Sequence, residues 1–394
     1  LNKHITTEAV QAYIQEQLHA DVHKIALTKS PFREVDGKEL ANQIAARKKA
    51  ARKLPTWYHT PLIYYPSLLS IEQCSSEITA AYKAGLTRGK SLIDLTGGFG
   101  VDSYYFSTVN DSVVHCEINE ELSAIASYNS ALLGQTDTTF ISGDGMSFLE
   151  NTEQKFDFVY IDPARRSSSG KVFMLKDCTP NVVEHLDMLL SKANRVLIKT
   201  APLLDLSAGL KELEHIAEIH IVSVKNECKE LIWIAERDYT GLPQIVCTTL
   251  NSEEKQFSFN MGEEVPARPL ATHIEAGYYL YEPDVALLKS GAFNLIAERY
   301  QLQKFHSQTQ LYLSADIHTG FPGRIFKIDQ VLSAGAIKKE KGLVGSVIVR
   351  NYPDKAAALV DKYQIKPDDT QFIIFTQSKA EGKVILKSTI IQHY

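Results

Sequence analysis

Long apolar runs are missing from these 394 residues, so no segment reaches the length a helix needs to cross a bilayer. Close cysteine pairs are missing too. The five cysteines (Cys74, Cys116, Cys178, Cys228 and Cys247) are scattered and odd in number, which fits free thiols in a reducing cytoplasm better than a disulfide framework. Twelve histidines include no H-E-x-x-H helix motif and no Cys/His ligand spacing. His19 and His23 could share a helix face at i, i+4, but without a third ligand they predict no metal site. From Leu1 onward there is no basic-then-apolar leader. Low-complexity linkers and short tandem repeats are also absent, and oligomeric state leaves no trace in the sequence.

A uniform charge is missing as well. The net charge is −5, yet residues 1–90 carry 13 Lys+Arg against 8 Asp+Glu, residues 91–240 carry 12 against 23, and residues 241–394 carry 17 against 16. A polyanion is therefore gripped, if at all, by the flanks rather than by the acidic middle. The basic cluster Arg47-Lys48-Lys49-Ala50-Ala51-Arg52-Lys53 precedes Pro55-Thr56-Trp57-Tyr58. It reads either as a solvated helix face before a packed aromatic turn, or as phosphate contacts beside a stacking aromatic.

What is present centres on Ser91-Leu92-Ile93-Asp94-Leu95-Thr96-Gly97-Gly98-Phe99-Gly100-Val101-Asp102: a short apolar strand, an acidic residue, a glycine-rich turn and a helix start. Glycines let a backbone turn through conformations closed to other residues and let a ligand approach closely. Before the turn, residues 1–89 read as helical, with helices over Ala9–Leu18, Leu40–Leu54 and Ser75–Gly85. From Lys90 strands alternate with helices, which implies an α/β domain over 90–240 with a mostly parallel sheet. Its strands are Ser91–Leu95, Ser112–Glu117, Thr138–Ile141, Phe156–Ile161 and Arg195–Lys199, closed by an antiparallel pair, Ile219–Val224 and Glu230–Ala235. After Gly241 the alternation loosens. A hairpin and a β-α-β unit, with a helix over Val285–Tyr300, occupy 241–320. A second unit, with a helix near Ala334–Glu340, occupies 321–394.

Ligands on such sheets bind beyond the carboxyl ends of the strands, and the unusual polar residues lie there. Glu117 ends the second strand, 23 residues after Asp94, where a carboxylate can bond both hydroxyls of a ribose. Asp144 ends the third, where it can cap a helix, accept a bond from an adenine amine, or do both. Asp162-Pro163-Ala164-Arg165 ends the fourth, beside the place for a ligand's reactive end. A dinucleotide dehydrogenase is the rival, but Gly98-x-Gly100-x-x-Ser103 lacks the third glycine of G-x-G-x-x-G, and a dehydrogenase gives no reason for Asp-Pro-Ala-Arg.

These motifs, in this order, resemble those of class I S-adenosylmethionine-dependent methyltransferases over roughly Ser91 to Ala235. The resemblance implies a Rossmann-like sheet and S-adenosylmethionine as cofactor. Asp94, Thr96, Gly97, Gly98 and Gly100 would hold the methionine portion, Glu117 the ribose and Asp144 the adenine, with Ile118 and Asp162 also binding the cofactor. Thr96 departs from the commonest motif, which has its first glycine there. Ala51-Arg52-Lys53-Leu54-Pro55-Thr56-Trp57, Lys199-Thr200-Ala201-Pro202-Leu203 and Tyr279-Leu280-Tyr281-Glu282-Pro283-Asp284 are similar to a narrower group, bacterial methyltransferases with a C-terminal THUMP-like domain. That group implies a helical domain (1–89), the catalytic domain (90–240), a hairpin plus ferredoxin-like unit (241–320), a THUMP-like domain (321–394), and a structured tRNA or rRNA as partner.

The expected reaction is methylation of RNA at a base nitrogen, with Asp162, Pro163 and Arg165 catalytic. Asp162 would accept a hydrogen bond from the acceptor amine and Arg165 would stack on the base. The place directly after the fifth strand, where cysteine-dependent carbon methylation needs its nucleophile, is Lys199-Thr200-Ala201-Pro202, which argues against that chemistry. Lys199 reads as a solvated charge capping its strand, with substrate orientation as the less favoured role. The alternatives are an RNA-binding or assembly protein that uses the cofactor fold structurally, or a methyltransferase of a small molecule or protein.

Overall fold

The computed structural model describes residues 1–165 and 174–394; of Arg165 only the backbone is included. Contacts divide the chain into two units, Leu1–Ala217 with Ile232–Gly241, and Glu218–Leu231 with Leu242–Tyr394.

Unit 1 opens with six α-helices: α1 (Glu8–Glu16), α2 (Val22–Leu27), α3 (Gly37–Lys53), α4 (Pro55–His59), α5 (Leu68–Gln73) and α6 (Glu77–Gly85). Asp36 starts α3 by accepting the Glu39 N–H at 2.7 Å, which satisfies a donor the helix itself leaves open. Pro55 opens α4, where a missing N–H costs nothing. His19 and His23 are not on one helix: His19 lies in a 3₁₀ turn, Gln17–His19, and His23 in α2. The apolar faces of the helices bury Ile5, Leu40, Ile44, Trp57 and Tyr64 in one core that also takes in Phe99, Val101 and Ile125. The expected boundary at 89/90 therefore does not separate two cores.

Strand and helix then alternate as β1 (Gly89–Asp94), α7 (Val101–Ser107), β2 (Asn110–Glu117), α8 (Glu120–Leu132), β3 (Thr138–Ser142), α9 (Gly145–Asn151) and β4 (Phe156–Ile161). The short β5 (Ala164–Arg165) pairs antiparallel with β6 (Cys178–Thr179), and α10 (Val182–Lys192), β7 (Ala193–Thr200) and α11 (Leu206–Glu212) follow. Within unit 1, β1 pairs in parallel with β2 and β4, β2 with β3, and β4 with β7. The strand order is β3-β2-β1-β4-β7. Strands β1 and β4 are buried at their carboxyl ends, as central parallel strands are. The expected Rossmann-like sheet is present.

The chain passes between units within β8 (Ile216–Val224) and β9 (Glu227–Glu236). Lys225 and Asn226 join them with φ of 50° and 58°, the two left-handed residues that a tight antiparallel hairpin requires. In unit 2, β10 (Gln244–Leu250) pairs in parallel with β8 and antiparallel with β11 (Glu254–Asn260). The expected 240/241 boundary accordingly misses part of this unit.

A seven-stranded sheet completes unit 2. Its elements are β12 (Tyr279–Pro283), α12 (Val285–Ser290), α13 (Phe293–Arg299), β13 (Gln303–His306), β14 (Thr309–Ser314), β15 (Gly323–Ser333), β16 (Ser346–Val349), α14 (Ala356–Tyr363), β17 (Gln371–Ser378) and β18 (Gly382–Gln392). The order is β13-β14-β12-β15-β18-β17-β16, so β12 and β15, placed in different domains by the sequence, are neighbours in one sheet. The helix expected over Val285–Tyr300 is broken at Gly291, whose φ of 74° no right-handed helix can continue. The helix expected near Ala334–Glu340 shrinks to a 3₁₀ turn, Ile337–Lys339. Among the described residues, no helix is long and apolar enough to cross a membrane.

Candidate active site

The carboxyl ends of β1, β2, β3, β4 and β7 bring together most of the residues singled out by the sequence. The turn after β1 is tied on every side. Leu95 N–H donates to Tyr160 O at 3.0 Å, Gly97 N–H to Cys116 O at 2.8 Å and Gly100 N–H to Gly97 O at 2.9 Å. Gly98 and Gly100 have φ of 56° and 86°, values that side chains resist. At Gly97 a Cβ would lie 2.1 Å from the His115 ring, so the turn can seat there only as glycine.

Asp94 faces into the protein. It is fully buried, accepts the Thr96 N–H at 3.0 Å and the Ser103 hydroxyl at 2.7 Å, and that hydroxyl meets His115 Nδ1 at 3.0 Å. Burial pushes the Asp94 carboxyl up to about 7. Burial also pushes the His115 imidazole down to about 3, which keeps it neutral. Asp94 thus shapes the turn from behind, through Ser103 and His115, which the sequence did not single out.

Glu117 stands at the rim, taking the Gly98 N–H at 2.9 Å and the Asn119 N–H at 2.7 Å on its two oxygens. Each carboxylate oxygen keeps a lone pair for a further donor. Next to it Ile118 is 75% exposed, an apolar side chain held out at the rim. Asp144 caps α9, accepting the Met146 N–H at 2.9 Å and the Ser147 hydroxyl at 3.2 Å. Gly145, which the sequence reading passed over, is needed beside it: a Cβ there would sit 2.5 Å from the Leu95 carbonyl oxygen. The Ser142-Gly143-Asp144-Gly145 run carried that signal in its second glycine.

Asp162 follows β4 with its side chain 35% exposed. Its N–H donates to the Thr96 hydroxyl at 2.8 Å, a bond that a glycine at position 96 could not provide. The departure from the commonest motif therefore ties the turn to the end of β4. Lys199, near the end of β7, forms an ion pair with the Asp162 carboxylate. Its side chain is only 16% exposed, so it is not the solvated cap expected from the sequence. Pro163 is buried, and the Arg165 side chain lies outside the described residues. Cys178 is a buried thiol.

The helical segment adds charges of its own. Lys83 of α6 is fully buried, 3.1 Å from an Asp102 carboxylate oxygen, and donates to the Ser75 hydroxyl at 2.7 Å. Ser75 and Tyr160 hydroxyls donate to the other Asp102 oxygen at 2.8 and 2.9 Å. Burial alone would raise the Asp102 carboxyl, but Lys83, then Lys199, then the Ser75 hydroxyl outweigh it and hold it below the usual range. Four cations of the basic cluster of α3 have protein partners, while Lys49 and Arg52 stay exposed. Arg47 reaches Gln11 at 3.4 Å, Lys48 the Ala20 carbonyl at 2.8 Å, Lys49 the Glu72 carboxylate at 3.4 Å, and Lys53 the Ile71 and Glu72 carbonyls at 2.9 and 2.6 Å. Trp57 is buried against Phe99 and Tyr104, with ring centroids 6.2 and 4.9 Å away, so it offers no face for a stacked base.

The chain is similar to proteins named as methyltransferases. The chain aligns over 99% of its length, and 99% of the other, with the crystal structure of a candidate methyltransferase from Porphyromonas gingivalis W83, at a TM-score of 0.85 and 28% identity. It is 25% identical over 248 residues to uncharacterised S-adenosylmethionine-dependent methyltransferases from two Mycobacterium tuberculosis strains, CDC 1551 / Oshkosh and ATCC 25618 / H37Rv. The chain's relatives are S-adenosylmethionine-dependent methyltransferases. The Mycobacterium alignments cover 63% of this chain and 64% of each relative, just under two thirds of their length. Residues 279–322 match a ferredoxin-like domain family.

The cofactor in those relatives' names fits the residues here. At the left-handed Gly98 a Cβ would meet nothing nearer than the Thr96 carbonyl oxygen at 3.9 Å, the Glu117 carboxylate is fixed at the rim with acceptor capacity left, and Ile118 presents bare apolar surface next to it. Among the described residues, no group of three or more His, Cys, Asp or Glu is placed to hold a metal ion.

Proposed function

We propose that unit 1 transfers a methyl group from S-adenosylmethionine to RNA, at a base nitrogen, in the cytoplasm. The observation that carries this reading is the Asp162 carboxylate, held next to the glycine turn by Thr96 and Lys199. When bound, S-adenosylmethionine supplies a methyl group activated by its sulfonium charge. Thr96, Gly97, Gly98 and Gly100 would hold the methionine portion, Glu117 the ribose hydroxyls, and Ile118 and Asp144 the adenine side of the site. Asp94 acts on the turn from behind.

In a displacement of this kind the protein mainly positions the partners and excludes water. Lys199 occupies one oxygen of Asp162 and leaves the other to accept an N–H from the acceptor base. That bond turns the nitrogen lone pair toward the methyl group. Asp162 would then accept the proton of the acceptor nitrogen and release it to water. Pro163 stiffens the segment, and Arg165 is proposed, by the family resemblance, to stack on the base. RNA as the substrate is supported by the basic residues 1–90 and the THUMP-like resemblance of residues 321–394. Leu203, 77% exposed just beyond β7, offers a base an apolar surface. A structured tRNA or rRNA fits these features best.

The Lys199–Asp162 pair favours a second reading. Asp162, beside the Lys199 ammonium, could take the proton of a hydroxyl, so that the ribose 2′-oxygen would be the acceptor. Mass spectrometry of nucleosides from RNA of cells with and without this gene separates the readings. Loss of one base-methylated nucleoside supports the first and loss of a 2′-O-methylated one the second. No change in any nucleoside removes RNA as the substrate.

A further inference from the structure

Three lysine ammonium groups gather near the glycine turn, and two have carboxylate partners. Lys83 has Asp102, and Lys199 has Asp162. The third, Lys53, is half-buried, yet among the described residues its hydrogen bonds go only to neutral carbonyls, those of Ile71 and Glu72. The Glu72 carboxylate forms its ion pair with Lys49 and acts on Lys53 only weakly, through its field. An ammonium has three N–H donors, so one remains for a ligand. Burial lowers the Lys53 pKa, and the Lys199 and Lys49 charges lower it further against a raising effect of Cys74. A cation in that state gains most from an anion.

The position of Lys53 says which anion. It ends α3 at the corner into α4, and four residues later Trp57 packs on Phe99 inside the glycine turn. The Ile71 and Glu72 carbonyls that Lys53 bonds lie at the end of α5, a few residues before Ser75. The Ser75 hydroxyl bonds Asp102 in the first turn of the helix after Gly100, so Lys53 stands in the neighbourhood of the glycine turn. The methionine end of the donor assigned above is a zwitterion, and its carboxylate needs a cation that no acidic side chain has already claimed.

We infer that Lys53 of the helical segment binds the amino-acid carboxylate of S-adenosylmethionine, which makes that segment part of the donor site. The inference rests on the donor-site reading of unit 1. It explains why the helices share a core with the turn: they bring one of the ligand's charge partners.

The test is calorimetric binding to the full chain of two probes, S-adenosylhomocysteine and 5′-methylthioadenosine. The second keeps the adenosine and thioether and lacks the amino-acid portion. Hydrogen bonds to charged groups predict that Lys53→Gln weakens S-adenosylhomocysteine about 10- to 100-fold and changes 5′-methylthioadenosine less than about twofold. Gln keeps donors for the two carbonyls, and an unchanged melting temperature confirms the fold; Lys53→Arg should restore part of the lost affinity. Equal losses for both probes would make Lys53 a structural strut and overturn the inference. No loss for either would overturn it too, and would free the ammonium for another anion such as an RNA phosphate. If the unaltered protein binds 5′-methylthioadenosine as tightly as S-adenosylhomocysteine, the carboxylate subsite fails while the adenosine site stands. If it binds neither, the donor-site reading fails and takes this inference with it.

Discussion

Replacing Lys83 by Met tests whether the buried charge network supports the donor turn. Lys83 is 0% exposed and Asp102 12%, so the substitution leaves a carboxylate largely without water and without its cation. Removing one member of a buried pair costs about 3–5 kcal/mol. Asp102 keeps the Ser75 and Tyr160 hydroxyls, which places the expected loss near the lower end, about 3 kcal/mol. Urea unfolding followed by tryptophan fluorescence measures it, because both tryptophans, Trp57 and Trp233, are buried in unit 1. Adding Asp102→Asn removes the stranded charge, so the double variant should lose about 1–2 kcal/mol less than the sum of the singles. The sign of the pH effect follows from the depressed Asp102 carboxyl. Its stabilising contribution is present above the ordinary carboxylate range and is lost as pH falls through its lower folded value, so the gap between wild type and Lys83→Met narrows below about pH 4. A loss under about 1 kcal/mol, or strict additivity, would refute the argument.

Two further outcomes follow from the same site. Between about pH 4 and 6.5 the folded protein holds a proton on Asp94 that the unfolded chain lacks, while the unfolded chain holds one on His115 that the folded protein lacks; the two slopes cancel. His115→Gln removes one of them, and unit 1 stability should then fall as pH rises from about 4 toward 7; a flat or rising profile in urea titrations would contradict this. Thr96→Val strips the Asp162 N–H of its acceptor. It should cost about 1–2 kcal/mol of stability and lower single-turnover methyl transfer more than S-adenosylhomocysteine affinity, whereas equal losses in both would sever the link between turn and Asp162.

Much of this was legible from residue order. Strand alternation, the glycine turn and the acidic residues at three strand ends are local patterns, set by backbone geometry within a few residues. The parts not legible depend on distant side chains meeting. Lys199 looked like a solvated cap because nothing nearby in sequence shows Asp162 beside it. The Arg47–Lys53 cluster looked free because its partners, Gln11, Ala20, Ile71 and Glu72, are 18 to 36 residues away. Lys83 did leave a trace, since it lies three residues after buried Ala80 on an apolar helix face. The domain boundaries failed for a related reason. Sheets pair strands across chain distance, so β12 with β15 and β8 with β10 cross divisions that composition suggested.

The central claim is that the turn from Asp94 to Gly100 holds S-adenosylmethionine, and calorimetry with S-adenosylhomocysteine tests it most directly. The account predicts one ligand bound per chain, and loss of that binding in Gly98→Val, which forces a β-branched residue into a left-handed conformation at φ 56°. A folded wild-type protein that binds neither S-adenosylhomocysteine nor S-adenosylmethionine would contradict the account.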